Sequence, residues 1–256
     1  MALCSTAPFL NLICYIIPYG LPFPVRSMAD VIPIDDAVPP TVFADVEALR
    51  EVAALFWQQG WSRGTSSNYS IVLNRDPFRL LLTASGKDKR RLKATDFVVV
   101  DEAGRPVAAT DERPSAETGL HLVLGRQSGV GSVLHTHSVW GTLLSELYAS
   151  AGGFPIEGYE MLKGLTGVKS HEHREWVPVF PNTQDIPSLA REIAKRQIDP
   201  VHTLTYGFLI RGHGLYTWGR DVEQARQHVE IFEFLFEVVA RRLSLEAATS
   251  SIPHAT

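Results

Sequence analysis

Apolar positions outline the elements of this chain before any chemistry is considered. After Thr41, the residues Phe43, Val46, Leu49, Ala53 and Phe56 recur at three- and four-residue spacing until Gly60, which predicts an amphipathic helix capped by Thr41. Residues 62–70 are small and polar and read as a loop leading to strands over 71–73 and 80–83. A strand over 97–100 closes in the turn Asp101-Glu102-Ala103-Gly104, helical spacing returns over 116–127 after Ser115, and 131–137 reads as a strand. Helices follow over 138–149 and 186–197, with strands near 176–180, 204–210 and 215–218. A long helix starts at Asp221 and runs through Ala225, Val229, Phe232, Leu235, Val238 and Leu243; residues 246–256 read as a flexible tail. Strands interleaved with helices predict one layered α/β domain. The short link between Ile210 and Leu215 is a hairpin, so the sheet is mixed or antiparallel.

With 256 residues, 45% hydrophobic and 20% charged, the chain can bury a sizeable core. A net charge of −4 gives no broad basic field, which argues against nucleic acid or an anionic membrane as partner and favours a small molecule. Cys4 and Cys14 are the only cysteines, so the rest of the chain is free of disulfides and thiolate ligands, as suits a reducing cytoplasm. Residues 1–40 read as an N-terminal extension. Its apolar run over 9–19 has no preceding Lys or Arg, unlike an export signal, and is shorter than the ~20 residues of a membrane span. Met28 opens an ordinary N-terminus, so 1–27 reads as an over-extended start.

His135 and His137 stand two apart at the end of a predicted strand, where alternate side chains share a face and could grip one ion. His213 sits between Gly212 and Gly214 in the turn of the late hairpin, where glycines let the backbone bend tightly. Three imidazoles with an open position suit a catalytic zinc site. An H-x-H alone is as well read as two hydrogen-bonded core or rim residues. Thr65-Ser66-Ser67-Asn68-Tyr69-Ser70 and Thr83-Ala84-Ser85-Gly86-Lys87 resemble anion nests with a lysine nearby, although each taken singly is an ordinary turn or cap. Pro114-Ser115-Ala116 before Glu117 is likewise an ordinary helix start. His171 and His173 form a second H-x-H in a charged stretch and read as an exposed loop. His121, His228 and His202 read as packing or surface residues, and His254 falls in the tail.

H-T-H at His135–His137, R-G-H-G around His213, T-S-S-N-Y-S, T-A-S-G and P-S-A-E occur in the order found in the class II aldolase and adducin family, which the chain resembles over about 41–245. The resemblance implies a single layered α/β domain with a central mixed, largely antiparallel sheet flanked by helices. It also implies one Zn2+ per subunit on His135, His137 and His213, a sugar phosphate held by Asn68, Ser85, Gly86 and Ser115, and a homo-oligomer, a tetramer by analogy, with active sites near subunit boundaries. Gly158-Tyr159-Glu160-Met161-Leu162-Lys163-Gly164 is similar to the segment that marks the methylthioribulose-1-phosphate dehydratases within that family, where the residue matching Glu160 is the acid/base. Glu117 matches the acidic residue that the family's aldolases place beside the metal, and reads here as an outer or resting-state ligand. The implied activity is dehydration of 5-methylthioribulose 1-phosphate to 2,3-diketo-5-methylthiopentyl 1-phosphate in methionine salvage. Aldolase or epimerase chemistry on fuculose, rhamnulose or ribulose phosphate would use the same metal ligands. A non-catalytic module like the adducin head is a more remote reading, since such domains lose the histidines. For the methylthio tail, Met161, Leu162, Phe154 and Tyr159 are candidate pocket residues.

Overall fold

A computed structural model describes residues 32, 34, 39, 41–199 and 203–250. Among the described residues five α-helices, α1 (Val42–Gln58), α2 (Thr118–Gly125), α3 (Val139–Leu147), α4 (Ile186–Gln197) and α5 (Val222–Ser250), flank one eight-stranded sheet. Its strands are β1 (Asn68–Arg75), β2 (Phe78–Thr83), β3 (Phe97–Val100), β4 (Ser132–Thr136), β5 (Gly153–Ile156), β6 (Glu175–Phe180), β7 (Gly207–Ile210) and β8 (Leu215–Gly219), in spatial order β3-β2-β1-β4-β8-β7-β6-β5. Every pairing is antiparallel except β6 with β7, so the expected mixed, largely antiparallel sheet is found.

Strand alternation sorts the side chains onto two faces. Tyr69, Ile71 and Leu134 pack with α1 and the start of α5, whereas Val133 and Tyr216 pack with Leu120 and Leu124 of α2 and Leu189 and Ile193 of α4. By the same alternation Asn68, Ser70 and His135 point to the α2 side. Register then sets them in a row, because Asn68 lies opposite His135 and His135 opposite Tyr216.

Several expected boundaries shift. The polar run read as a loop over 62–70 becomes strand from Asn68, since its polar residues face the α2 side and only Tyr69 faces the apolar core. The helix expected over 116–127 is shorter, with Glu117 at its N-cap. Strand β5 was not expected; it pairs only with β6 at the edge of the sheet and contains Pro155, a residue that weakens a strand reading. The tail expected from 246 is helical as far as Ser250, where Ser244, Thr249 and Ser250 bond back to carbonyls in the preceding turn and Arg242 reaches Glu246. Ile32, within the expected extension, is 1% exposed and belongs to the core cluster around α1. The apolar run over 9–19, the start-site reading of 1–27, His202 and His254 lie outside the described residues.

Candidate metal centre and substrate cleft

The end of β4 and the β7–β8 turn bring three imidazoles together. His135, His137 and His213 offer nitrogens that all lie within 4.8 Å of one another. His135 Nε2 is 2.7 Å from His137 Nε2 and 3.4 Å from His213 Nε2. His135 is fully buried, stacks on Tyr216 at 4.0 Å, and its Nδ1 is 2.9 Å from the Leu215 carbonyl. A carbonyl only accepts, so Nδ1 carries the hydrogen and the Nε2 lone pair faces the other two rings. Burial, reinforced by the neighbouring histidines, drives His135 well below its ordinary titration range, and burial, His213 and Lys89 together bring His137 down to about 4. His137 Nε2 and His213 Nε2 crowd the lone pair of His135, and a cation among the three nitrogens would draw on all of them. The donor set therefore fits a divalent metal, and zinc among those that accept three histidines.

The turn carrying His213 is built for close approach. Gly212 has φ of +59°, and a Cβ on Gly214 would fall 2.0 Å from the Thr136 carbonyl oxygen. Helix α3 clamps this turn, Thr142 Oγ1 donating to the His213 carbonyl at 3.2 Å and Ser145 Oγ accepting from Gly212 N–H at 2.9 Å. The same helix begins directly after His137, capped by Ser138 Oγ on Gly141 N–H. Both halves of the histidine set are thus tied to one helix.

A cavity of about 490 Å³ opens on these rings, and its walls include Asn68, Ser85, Gly86, Ser115 and Glu117 beside His137 and His213. The candidate phosphate residues thus share one space with two of the candidate metal ligands. Gly86 has φ of +74°, and an added Cβ would meet no atom within 4 Å, so its backbone borders open cleft. Glu117 lies between the two sets: its Oε1 is 3.4 Å from His213 Nε2, its Oε2 is 3.5 Å from His135 Nε2, and it accepts from Asn68 Nδ2 at 2.8 Å. The phenol of Tyr216, buried and near this carboxylate, is held well above its ordinary titration range. A larger groove of about 600 Å³ runs between the end of β6 and α4, but no histidine lines it.

Other expectations fare differently. Glu160 stands on the turn 160–164, exposed, bonded to Lys163 at 2.5 Å and His171 at 3.1 Å, and is not among the residues lining the cleft. The Lys163 bond, with His171, holds its carboxyl below the ordinary range. Phe154 and Leu162 are buried in the core between α3 and α5, with Tyr159 and Met161 packed on them, so none of the four lines the cleft. Lys87, expected to add charge to the anion nest, is instead paired with Glu112 at 2.6 Å and Asp96 at 3.1 Å. Lys89 is the unexpected cation: 1% exposed, it donates to the Lys87 carbonyl at 2.9 Å, and burial brings it down to about 8. It sits in the charged run Lys87-Asp88-Lys89-Arg90-Arg91, where nothing in the sequence sets it apart from its neighbours. His171 is exposed and His173 pairs with Glu175 at 2.9 Å, while the three-ligand group found among the described residues is His135, His137 and His213. His228 accepts from Thr166 and donates to the Trp218 carbonyl, a packing role as expected.

The described residues include no helix long and apolar enough to cross a membrane. The family model for the class II aldolase and adducin N-terminal domain matches residues 47–240. A methylthioribulose-1-phosphate dehydratase of Marinobacter nauticus is 47% identical over 192 residues, covering 75% of this chain and 90% of that protein. One from Pectobacterium atrosepticum is 46% identical over 200 residues, covering 77% and 94%. Among solved structures, an L-fuculose 1-phosphate aldolase superposes with a TM-score of 0.67 at 20% identity, over 82% of this chain and 91% of that one. The L-fuculose-1-phosphate aldolase of Thermus thermophilus gives 0.62 at 22%, over 80% and 98%; at these identities the likeness concerns the fold. From the matched span and the dehydratase relatives together, the chain belongs to the class II aldolase and adducin family.

Proposed function

We propose that this chain is a zinc-dependent hydro-lyase that removes water from 5-methylthioribulose 1-phosphate, giving 2,3-diketo-5-methylthiopentyl 1-phosphate, in the cytoplasmic salvage of methionine. The observation that carries the reading is the meeting of three imidazoles at the mouth of a cleft walled by Asn68, Ser85, Gly86 and Ser115, in a chain 46–47% identical to two dehydratases. His135, His137 and His213 would hold one zinc ion, which supplies Lewis-acid polarisation of the C2 ketone and so acidifies the C3 proton.

The chain's own residues do the remainder. Asn68, Ser85 and Ser115 donate to the phosphate along with backbone N–H groups at Gly86, which anchors C1 and sets C2 and C3 against the histidine side of the cleft. Glu117 lies against two of the rings and acts as an outer or resting-state ligand. Glu160, ionised through its contact with Lys163, takes the C3 proton and returns it to the departing C4 hydroxyl, so that water leaves and the resulting enol tautomerises to the diketone. Because Glu160 lies outside the cleft of its own chain, a neighbouring copy has to present it, in keeping with a ring-shaped homo-oligomer such as a tetramer.

The test is incubation of purified protein with methylthioribulose 1-phosphate beside the Glu160→Gln variant. The reading expects a diketone with all carbons retained, and in the variant full metal content with turnover lowered by roughly 10²–10⁴-fold. Two- or three-carbon aldehyde fragments would instead assign a carbon–carbon lyase to the same site.

A further inference from the structure

A line of hydrogen bonds leaves the cleft and runs beneath it to the face of α2. The carboxylate of Glu117 only accepts, so the Asn68 atom 2.8 Å from its Oε2 is the amide Nδ2. The Asn68 carbonyl Oδ1 is thereby turned toward His121 Nε2, with which it is hydrogen-bonded, and that ring nitrogen has to bring the hydrogen. His121 is fully buried, and desolvation drives its titration down to about 3, so the ring carries one hydrogen only. Its Nδ1 is then bare and accepts from Ser70 Oγ at 2.7 Å. A flipped Asn68 amide would set two acceptors, Oδ1 and the Glu117 carboxylate, against each other. The sheet makes the line possible: Asn68 and Ser70 are alternate residues of β1 on the α2 side, and His121 lies across from both with Tyr216 edge-on to its ring at 5.6 Å.

We infer that His121 is a positioning residue: as the Nε2–H tautomer it locks the Asn68 amide with its NH2 group toward Glu117 and the cleft, and through Asn68 it sets the carboxylate that lies against His135 and His213. The inference rests on the reading of the cleft as the sugar-phosphate site. It adds a residue that touches neither substrate nor metal. Ser70 completes the line by donating from behind, so the polarity of all three bonds is dictated from the Glu117 end.

Two experiments decide it. In zinc-loaded protein labelled with 15N-histidine, long-range 1H–15N NMR correlation reads each ring's tautomer, and the signal missing from His121→Gln identifies residue 121. The neutral Nε2–H form is expected; an Nδ1–H form or a doubly protonated ring overturns the inference. In steady-state assays, His121→Leu is expected to lower kcat/KM by roughly 10–100-fold with metal content unchanged. His121→Gln, which keeps a donor toward Asn68, is expected to restore it to within about fivefold. In an Asn68→Ala background His121→Leu should cost no more than about twofold further. Equal losses in the Leu and Gln variants, or losses of Leu and Asn68→Ala that multiply, also overturn it. Wild-type protein that fails to dehydrate the substrate sinks the functional reading alone, because the ring tautomer is read without turnover.

Discussion

His213 Nε2 lies 3.4 Å from His135 Nε2, although the two residues are 78 positions apart in sequence. The approach depends on backbone rather than side-chain length. The β7–β8 turn folds against the end of β4 so closely that Gly214 touches the Thr136 carbonyl, and α3, starting next to His137, grips the turn through Thr142 and Ser145.

Gly214→Ala tests that closeness. A methyl group placed 2.0 Å from a backbone oxygen has to displace the turn, with a cost of about 1–3 kcal/mol or more. Thermal unfolding should fall by several degrees and the affinity for zinc should fall with it. Gly86→Ala, where no protein atom is within 4 Å of the added Cβ, should instead weaken binding of the phosphorylated substrate more than it weakens metal binding.

Glu233 of α5 reaches the end of β4, accepting from Thr136 Oγ1 at 3.2 Å, with Ser138 also beside its buried carboxyl. Burial raises its carboxyl from 4.5 to about 7. The folded state thus holds a proton that the unfolded state releases, so this contribution is complete below about pH 4.5 and is lost as pH rises through about 7. Relative to wild type, Glu233→Gln should gain stability across that window, by up to about 3 kcal/mol, and level off above it. Denaturant midpoints from pH 4.5 to 8 measure this; parallel curves for the two proteins would contradict it.

Lys89 acts in the opposite sense. Burial lowers its folded titration to about 8 from 10.5, so the penalty for the charged form is present below about pH 8 and relieved toward 10.5. Wild-type stability should therefore rise with pH over that range relative to Lys89→Met. The same variant removes a cation that depresses His137, so zinc should bind as tightly or tighter. Inorganic phosphate should bind roughly tenfold more weakly, as calorimetry can follow.

Much of this site was legible in sequence because its parts carry local signals. H-T-H marks a strand end, and glycines on both sides of His213 mark a tight bend. What escaped depends on contacts distant in sequence. Asn68, Tyr69 and Ser70 read as loop because small polar residues signal turns, yet in β1 the two polar ones face His121, 51 to 53 positions away. Lys89 looks like its exposed neighbours until the fold turns it beneath Thr65. The segment around Glu160 was recognisable, but its side chain is exposed, pairs with Lys163 and is not among the residues lining the cleft.

Metal content per chain, measured by elemental mass spectrometry on wild type, His135→Ala and His213→Ala purified without chelator, tests the central claim. The account predicts close to one divalent ion per wild-type chain and near-complete loss in either variant, with the fold retained. A full complement of metal in both variants would contradict it.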